Sequence, residues 1–256
     1  MSDVYPAATT AYADGHVAED VEDDIDFGGL HTSVPLAKGH VVSALYLINA
    51  NHGFNDAGGE HLRHTAGLFA KGSAGGFGYQ AEGYYQFGRI METQIAAYMG
   101  AARVGYQLDA PGKPLGLLWG EYLSGDGTPE GVFDTLYATN HKFYGEMDFF
   151  LAIPANTAQL GLVDVGGRLG ASATDEVALH ADFHHLRSAE ATPAGARVFG
   201  NEVDFKVQWT AMDEVAVRAL YGIFLPGDAI RAPNGIDEAA DLEPEHLGYL
   251  TLDVRL

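Results

Sequence analysis

The chain has 256 residues with 35 acidic against 14 basic side chains, a formal charge of -21. That balance excludes a nucleic-acid binder, whose phosphate partner needs Lys and Arg, and a basic helix lying on a membrane surface. The lack of cysteine excludes disulfides and thiolate metal sites.

In chain order, residues 1–26 carry eight acidic residues and no Lys or Arg, and read as a flexible, solvated N-terminal segment. A β-barrel domain is expected over 27–256, where one-sided strands follow. Strands are predicted at 27–35, 40–50, 61–71, 76–87, 94–108, 114–123, 159–171, 176–186, 198–211, 214–225 and 246–256. The clearest pair straddles Met212-Asp213. Val203, Phe205, Val207 and Trp209 alternate with Glu202, Asp204, Lys206 and Gln208, and Val215, Val217, Ala219, Tyr221, Ile223 and Leu225 then share a face. Such runs, about ten residues or longer, cross a bilayer when tilted. No apolar run reaches the ~20 residues of a transmembrane helix, which a barrel does not require. No signal peptide is recognisable at Met1-Ser2-Asp3, so a mature form or a fragment is expected.

Short turns are expected near 36–39, 72–75, 109–113, 172–175 and 212–213. Longer connections are expected at 51–60, 88–93, 124–158, 187–197 and 226–245. The fold class is therefore an all-β, antiparallel, up-and-down transmembrane barrel with a long external loop at 124–158. In this reading Phe143 to Phe150 folds inside that loop or plugs the barrel mouth. Eleven visible strands are odd, whereas bacterial single-chain barrels have even numbers. At least one more strand is expected upstream, with Val4 to Ala13 the local candidate, and the preferred reading is the C-terminal portion of a larger barrel of which about 11–12 strands are seen.

Several stretches resemble the alginate export family of outer-membrane barrels. The most specific is Ser124-Gly125-Asp126, then Phe133-Asp134-Thr135-Leu136-Tyr137, then Asn140-His141-Lys142-Phe143-Tyr144-Gly145-Glu146-Met147-Asp148. Gly200-Asn201-Glu202-Val203-Asp204, Phe224-Leu225-Pro226-Gly227-Asp228 and Tyr249-Leu250-Thr251-Leu252-Asp253-Val254 also look like family elements. The resemblance implies a bacterial outer-membrane channel for passive passage or export of an alginate-like polysaccharide or other small polar solute, with membrane lipid as its surroundings. The chain departs from the family at its short N-terminal side and in ending on Leu256.

Alternation assigns the faces. A charge facing lipid at mid-depth costs roughly 2–4 kcal/mol, so charged residues should line the pore. They are Arg63, Glu82, Arg103, Asp164, Arg168, Asp182, Glu202, Asp204, Lys206, Arg218, Asp253 and Arg255, six cations against six anions. This near-neutral lumen suits a polar pore without selecting alginate, which would favour a net positive path. Equally, these residues can be cross-strand ion pairs bracing the wall. The acidic loop residues Asp237, Glu238, Asp241, Glu243 and Glu245 could collect divalent cations, although their spacing is not that of an EF-hand and a solvated surface is the plainer account.

No enzyme is expected. His180 and His184 stand about 13 Å apart on a strand and cannot share an ion. His-Glu-x-x-His and Gly-x-Ser-x-Gly patterns are absent. His184-His185 reads as an interface or lumen pair. Nothing in the spacing of Ser124, His141 and Asp148 supports a triad, and no cofactor or metal site is indicated. Two other functions stay open. A soluble β-barrel binding a small apolar ligand would place Val203, Phe205, Val207 and Trp209 inside, and a structural barrel would not transport.

Overall fold

The computed structural model describes residues 25–51, 61–141, 143–212 and 214–254. They form one eleven-stranded antiparallel sheet in which every strand pairs with its sequence neighbour. The strands are β1 (Ile25–Ala37), β2 (His40–Asn51), β3 (His61–Ala74), β4 (Phe77–Ile90), β5 (Thr93–Gln107), β6 (Leu115–Leu123), β7 (Leu162–Ser172), β8 (Val177–Arg187), β9 (Val198–Met212), β10 (Val215–Pro226) and β11 (Glu245–Val254). Most of the segment expected to be flexible, residues 1–24, lies outside the described residues, and Ile25-Asp26 open β1. No helix among the described residues is long and apolar enough to cross a membrane, which says nothing about crossing by strands.

Turn chemistry fixes one end of the sheet. Gly75 and Gly76, with φ of +57° and +82°, join β3 to β4 with Ala74 paired to Phe77. A side chain at either position would meet the left-handed penalty, so the diglycine sets this hairpin's register. The other end carries the connections 124–161, 188–197 and 227–244. One expectation fails there. The 88–93 connection is only Met91-Glu92, because the ladder continues to the Ile90–Thr93 pair. Met91 itself takes the left-handed conformation, with φ +52°.

The two faces differ in kind. Leu30, Leu68, Leu118, Val165, Leu169, Phe205, Trp209, Tyr221, Leu250 and Leu252 stand exposed on one face. Arg63, Thr65, Gln86, Glu121, Asp164, Asp182, His184, Glu202 and Asp204 are buried on the other. A soluble ligand-binding barrel needs the reverse, with Val203, Phe205, Val207 and Trp209 turned inward.

What buries the polar face is segment 124–161, which contains no strand and only a 3-10 turn at Ala155–Thr157. Phe143 to Phe150 lies within it and forms turns and bends. Tyr137 packs edge-on against Phe27 of β1, with ring centroids 5.0 Å apart. Nine residues on, Glu146 accepts a hydrogen bond from the Tyr249 hydroxyl of β11 at 3.0 Å. In a flat sheet at about 4.8 Å per strand, β1 and β11 would lie about 48 Å apart. Nine fully extended residues span only about 30 Å, and Asn140 and Gly145, with φ of +56° and +93°, turn the path within them. The sheet therefore rolls around the segment, although β1 and β11 are not paired with each other. The apolar core sits between roll and segment, where Phe150 meets Phe199, Phe149 stacks on Phe224, and Leu123, Leu162 and Leu186 are fully buried.

Candidate functional site

Alternation puts Arg63 of β3 and Gln86 of β4 on the inner face, where they grip the first half of the inner segment. Arg63 donates to Gln86 Oε1 at 2.8 Å and to the Pro129 carbonyl at 3.2 Å, with Asp134 Oδ2 3.9 Å from its Nε. The Gln86 amide donates to Thr65 Oγ1 and to the Asp134 carbonyl, while its oxygen accepts from Asp134 N–H. A buried guanidinium is tolerated because these acceptors replace its water.

A second grip lies on β5 and β6. The Tyr144 hydroxyl donates to Glu121 Oε1 at 2.5 Å. Arg103 Nη2 stands 3.7 Å from Glu121 Oε2, and the Arg103 guanidinium lies 5.4 Å from the centre of the Phe143 ring. Burial and the facing Glu121 carboxylate both push the Tyr144 phenol well above its ordinary value, so it stays a donor.

The third grip is ionic. Lys206 of β9 bonds Asp182 Oδ2 at 2.8 Å and makes a short contact to Glu146 Oε1. Asp182 also receives Arg168 in a two-pronged pair, at 2.6 and 2.5 Å. Glu202 accepts Met147 N–H at 2.9 Å. Burial pushes the Glu146 carboxyl up, but Lys206, Tyr249 and His141 outweigh it and hold the group below the usual glutamate range.

The other predicted residues fall in three places. Asp164, fully buried on the inner face, accepts from Trp119 Nε1 at 2.8 Å and bonds His184 Nδ1 at 2.9 Å. Asp204 is fully buried on the inner face, carboxyl against carboxyl with Glu202. Glu82 takes a bond from Gln80, and Arg218 pairs with Asp253 in the open near the short turns. Arg255 and Lys142 lie outside the described residues. His184 and His185 do not act as a pair. Strand alternation sends His184 inward to Asp164 and His185 to the opposite face, where it bonds Asn201.

The loop motif builds the segment's own geometry. Ser124 accepts Tyr98 N–H and donates to the Gly131 carbonyl. Its hydroxyl is thus committed to backbone rather than to His141, which bonds Asp148 at 2.5 Å. Gly125 lies so close to Leu160 and Gly161 that a Cβ would stand 2.0 Å from Gly161 N, and Asp126 accepts from Thr128 N–H and Oγ1. Nothing here is positive evidence of catalysis, and among the described residues no three His, Asp or Glu side chains are placed to hold a metal ion. Asp237, one of the acidic loop residues, instead organises its own turn, accepting Ala239 N–H while its carbonyl takes Arg231.

Sequence reasoning missed Glu121, and gave Glu146 and Asp134 no role beyond their place in the family motifs. Glu121 sits in an otherwise apolar row with Leu117, Trp119 and Leu123, so alternation offered no polar side to choose. The available signal was pairing, since Glu121 lies directly across the ladder from Asp164.

The alginate export family model matches residues 7–188. The chain belongs to the alginate export family. That match takes in β1 to β8 and the whole inner segment, and so includes the Ser124-to-Asp148 motifs, whereas Gly200–Asp204, Phe224–Asp228 and Tyr249–Val254 lie beyond it. The alginate export family is one of outer-membrane, porin-type transport proteins, which agrees with the exposed apolar face and the buried polar one. None of the curated proteins matches the chain.

Proposed function

We propose that this chain builds the wall and inner plug of an outer-membrane channel, through which an alginate-like polysaccharide or another small polar solute passes along the inner face. The observation that carries this is the segregation of side chains, with carboxyl groups and the Arg63 guanidinium buried under 124–161, Arg103, Arg168 and Lys206 half-buried there, and aliphatic and aromatic groups outside. Lipid tolerates the second surface and a hydrated passage the first. Wall residues of this passage are Arg63, Glu82, Arg103, Glu121, Asp164, Arg168, Asp182, Glu202, Asp204, Lys206, Arg218 and Asp253. Segment 124–161 acts as the plug, held by the three grips.

Glu121 adds a seventh carboxylate to the six expected on the wall, and most cations are already paired. An anionic polymer enters by exchanging its carboxylates for those now held by Arg103, Arg168 and Lys206.

The test is single-channel recording after refolding the chain into planar bilayers, with selectivity taken from the reversal potential. Discrete steps are expected, and correct insertion without conductance would leave a structural barrel instead.

A further inference from the structure

Glu146 belongs to the inner segment, yet two strands of the wall hold its carboxylate. Lys206 of β9 contacts Oε1, and the Tyr249 hydroxyl of β11 donates to Oε2 at 3.0 Å, so each oxygen has its own donor. From the segment itself, His141 Nε2 stands 4.0 Å from Oε2. The ammonium has a second anchor, because it also donates to Asp182 Oδ2 at 2.8 Å. Asp182 in turn is clasped by Arg168, which fixes Lys206 from the wall side. Arg168, Asp182, Lys206 and Glu146 thus alternate in charge and cancel. Asp204, the next inward carboxyl on β9, is turned to Glu202 instead.

We infer that Lys206 and Tyr249 form a carboxylate-binding site of the wall, in which Glu146 is an internal stand-in for the carboxylate of a sugar acid. This rests on the inner face being the passage and 124–161 its plug. When the segment withdraws, the alternating set is left with one positive charge over. A partly buried cation that has lost its partner favours an incoming anion. A neutral sugar brings no such charge, and a doubly charged phosphate would bring too much beside Asp182. A carboxylate has one charge and two oxygens, one for each donor. Both occupants cannot be present together. The space beside the docked pair, bordered by Glu146, Lys206, Asp182 and Arg168, is about 40 Å³. That admits a few water molecules at about 10–15 Å³ each but no pyranose ring. Asp182 is not displaced in this way, because its strand is paired on both sides, while Glu146 leaves with its segment. A sugar acid seated on Lys206 and Tyr249 therefore removes the ionic hold of the third grip.

The experiment is calorimetric titration of the detergent-solubilised full chain with sodium glucuronate, against glucose and sodium chloride at equal ionic strength. Glu146→Ala, which clears the stand-in, is expected to bind glucuronate about tenfold more tightly than wild type or better, since a site that is rarely free shows only part of its affinity. Adding Tyr249→Phe to Glu146→Ala should weaken that binding several-fold, and adding Lys206→Met should abolish it. Neither glucose nor chloride should bind to any of these proteins. Tyr249→Phe removes one hydroxyl and decides the matter if the Lys206→Met protein does not fold. Equal glucuronate affinity in wild type and Glu146→Ala, or no binding in either, overturns the inference, as does an affinity that Tyr249→Phe leaves unchanged. Planar-bilayer recording of the same proteins tells this failure from failure of the channel. Conductance steps without that order of affinities sink the stand-in and leave the passage. That order without conductance keeps the site and removes the passage.

Discussion

Gly145 lies directly against Glu202 of the wall. Its φ is +93°, and a Cβ there would lie 2.3 Å from Glu202 Oε1. Gly145→Ala is therefore expected to weaken docking of 124–161 by about 1–3 kcal/mol, read as faster proteolysis within the segment while the strands stay protected. Its neighbour Glu146 gives the docking a pH dependence. Its carboxyl titrates below the ordinary value when docked, so its contribution is complete above about 4.3, the usual glutamate value. That contribution fades as pH falls through the lower docked value. Proteolysis of 124–161 should accelerate across that acid range in wild type, and Glu146→Gln should be insensitive to it. An acid transition that persists in the Glu146→Gln protein would assign it to another group.

At the scale of elements, all eleven strands lie close to where alternation put them, most with one wet and one oily side and β6 with the apolar Leu117, Trp119 and Leu123 on its inner face. The inner segment was a different matter. Its motifs marked it as special, but nothing periodic says that it folds back beneath β1, β3, β6, β9 and β11. Its contacts are long-range, as with Asn49 to Tyr137 at 2.6 Å and Lys206 to Glu146. A sequence read strand by strand cannot pair residues 88 or 60 positions apart. The same limit explains Arg63. Alternation put it inside, yet its partners Pro129 and Asp134 belong to the segment rather than to a neighbouring strand. Ion pairs within the wall were more legible, since Arg168–Asp182 and Arg218–Asp253 join adjacent strands.

At the scale of the whole molecule, the outer face of the sheet is apolar and exposed, and the inner face carries the buried polar groups beside the Phe and Leu core. Leu118, near the middle of β6, is 66% exposed on that outer face. Leu118→Arg should cost about 2–4 kcal/mol of folding in lipid vesicles, measured by denaturant titration of the inserted protein. A soluble protein would pay almost nothing for arginine at so open a position, so an unchanged midpoint would speak against lipid contact there.

The two ends of the sheet also carry unequal charge. The connections 91–92, 124–161, 188–197 and 227–244 together bear twelve acidic residues against Lys142, Arg197 and Arg231, while the turns at the opposite end bear Asp109, Asp175, Glu176, Asp213 and Glu214 against Lys38 and Lys113. Mobile cations therefore gather at one mouth more than at the other, within a Debye length of about 10 Å at 0.1 M salt. The channel proposed above is therefore expected to pass current asymmetrically in voltage, as a diode in dilute electrolyte and as an ordinary resistor at about 1 M, where the cloud shrinks to about 3 Å.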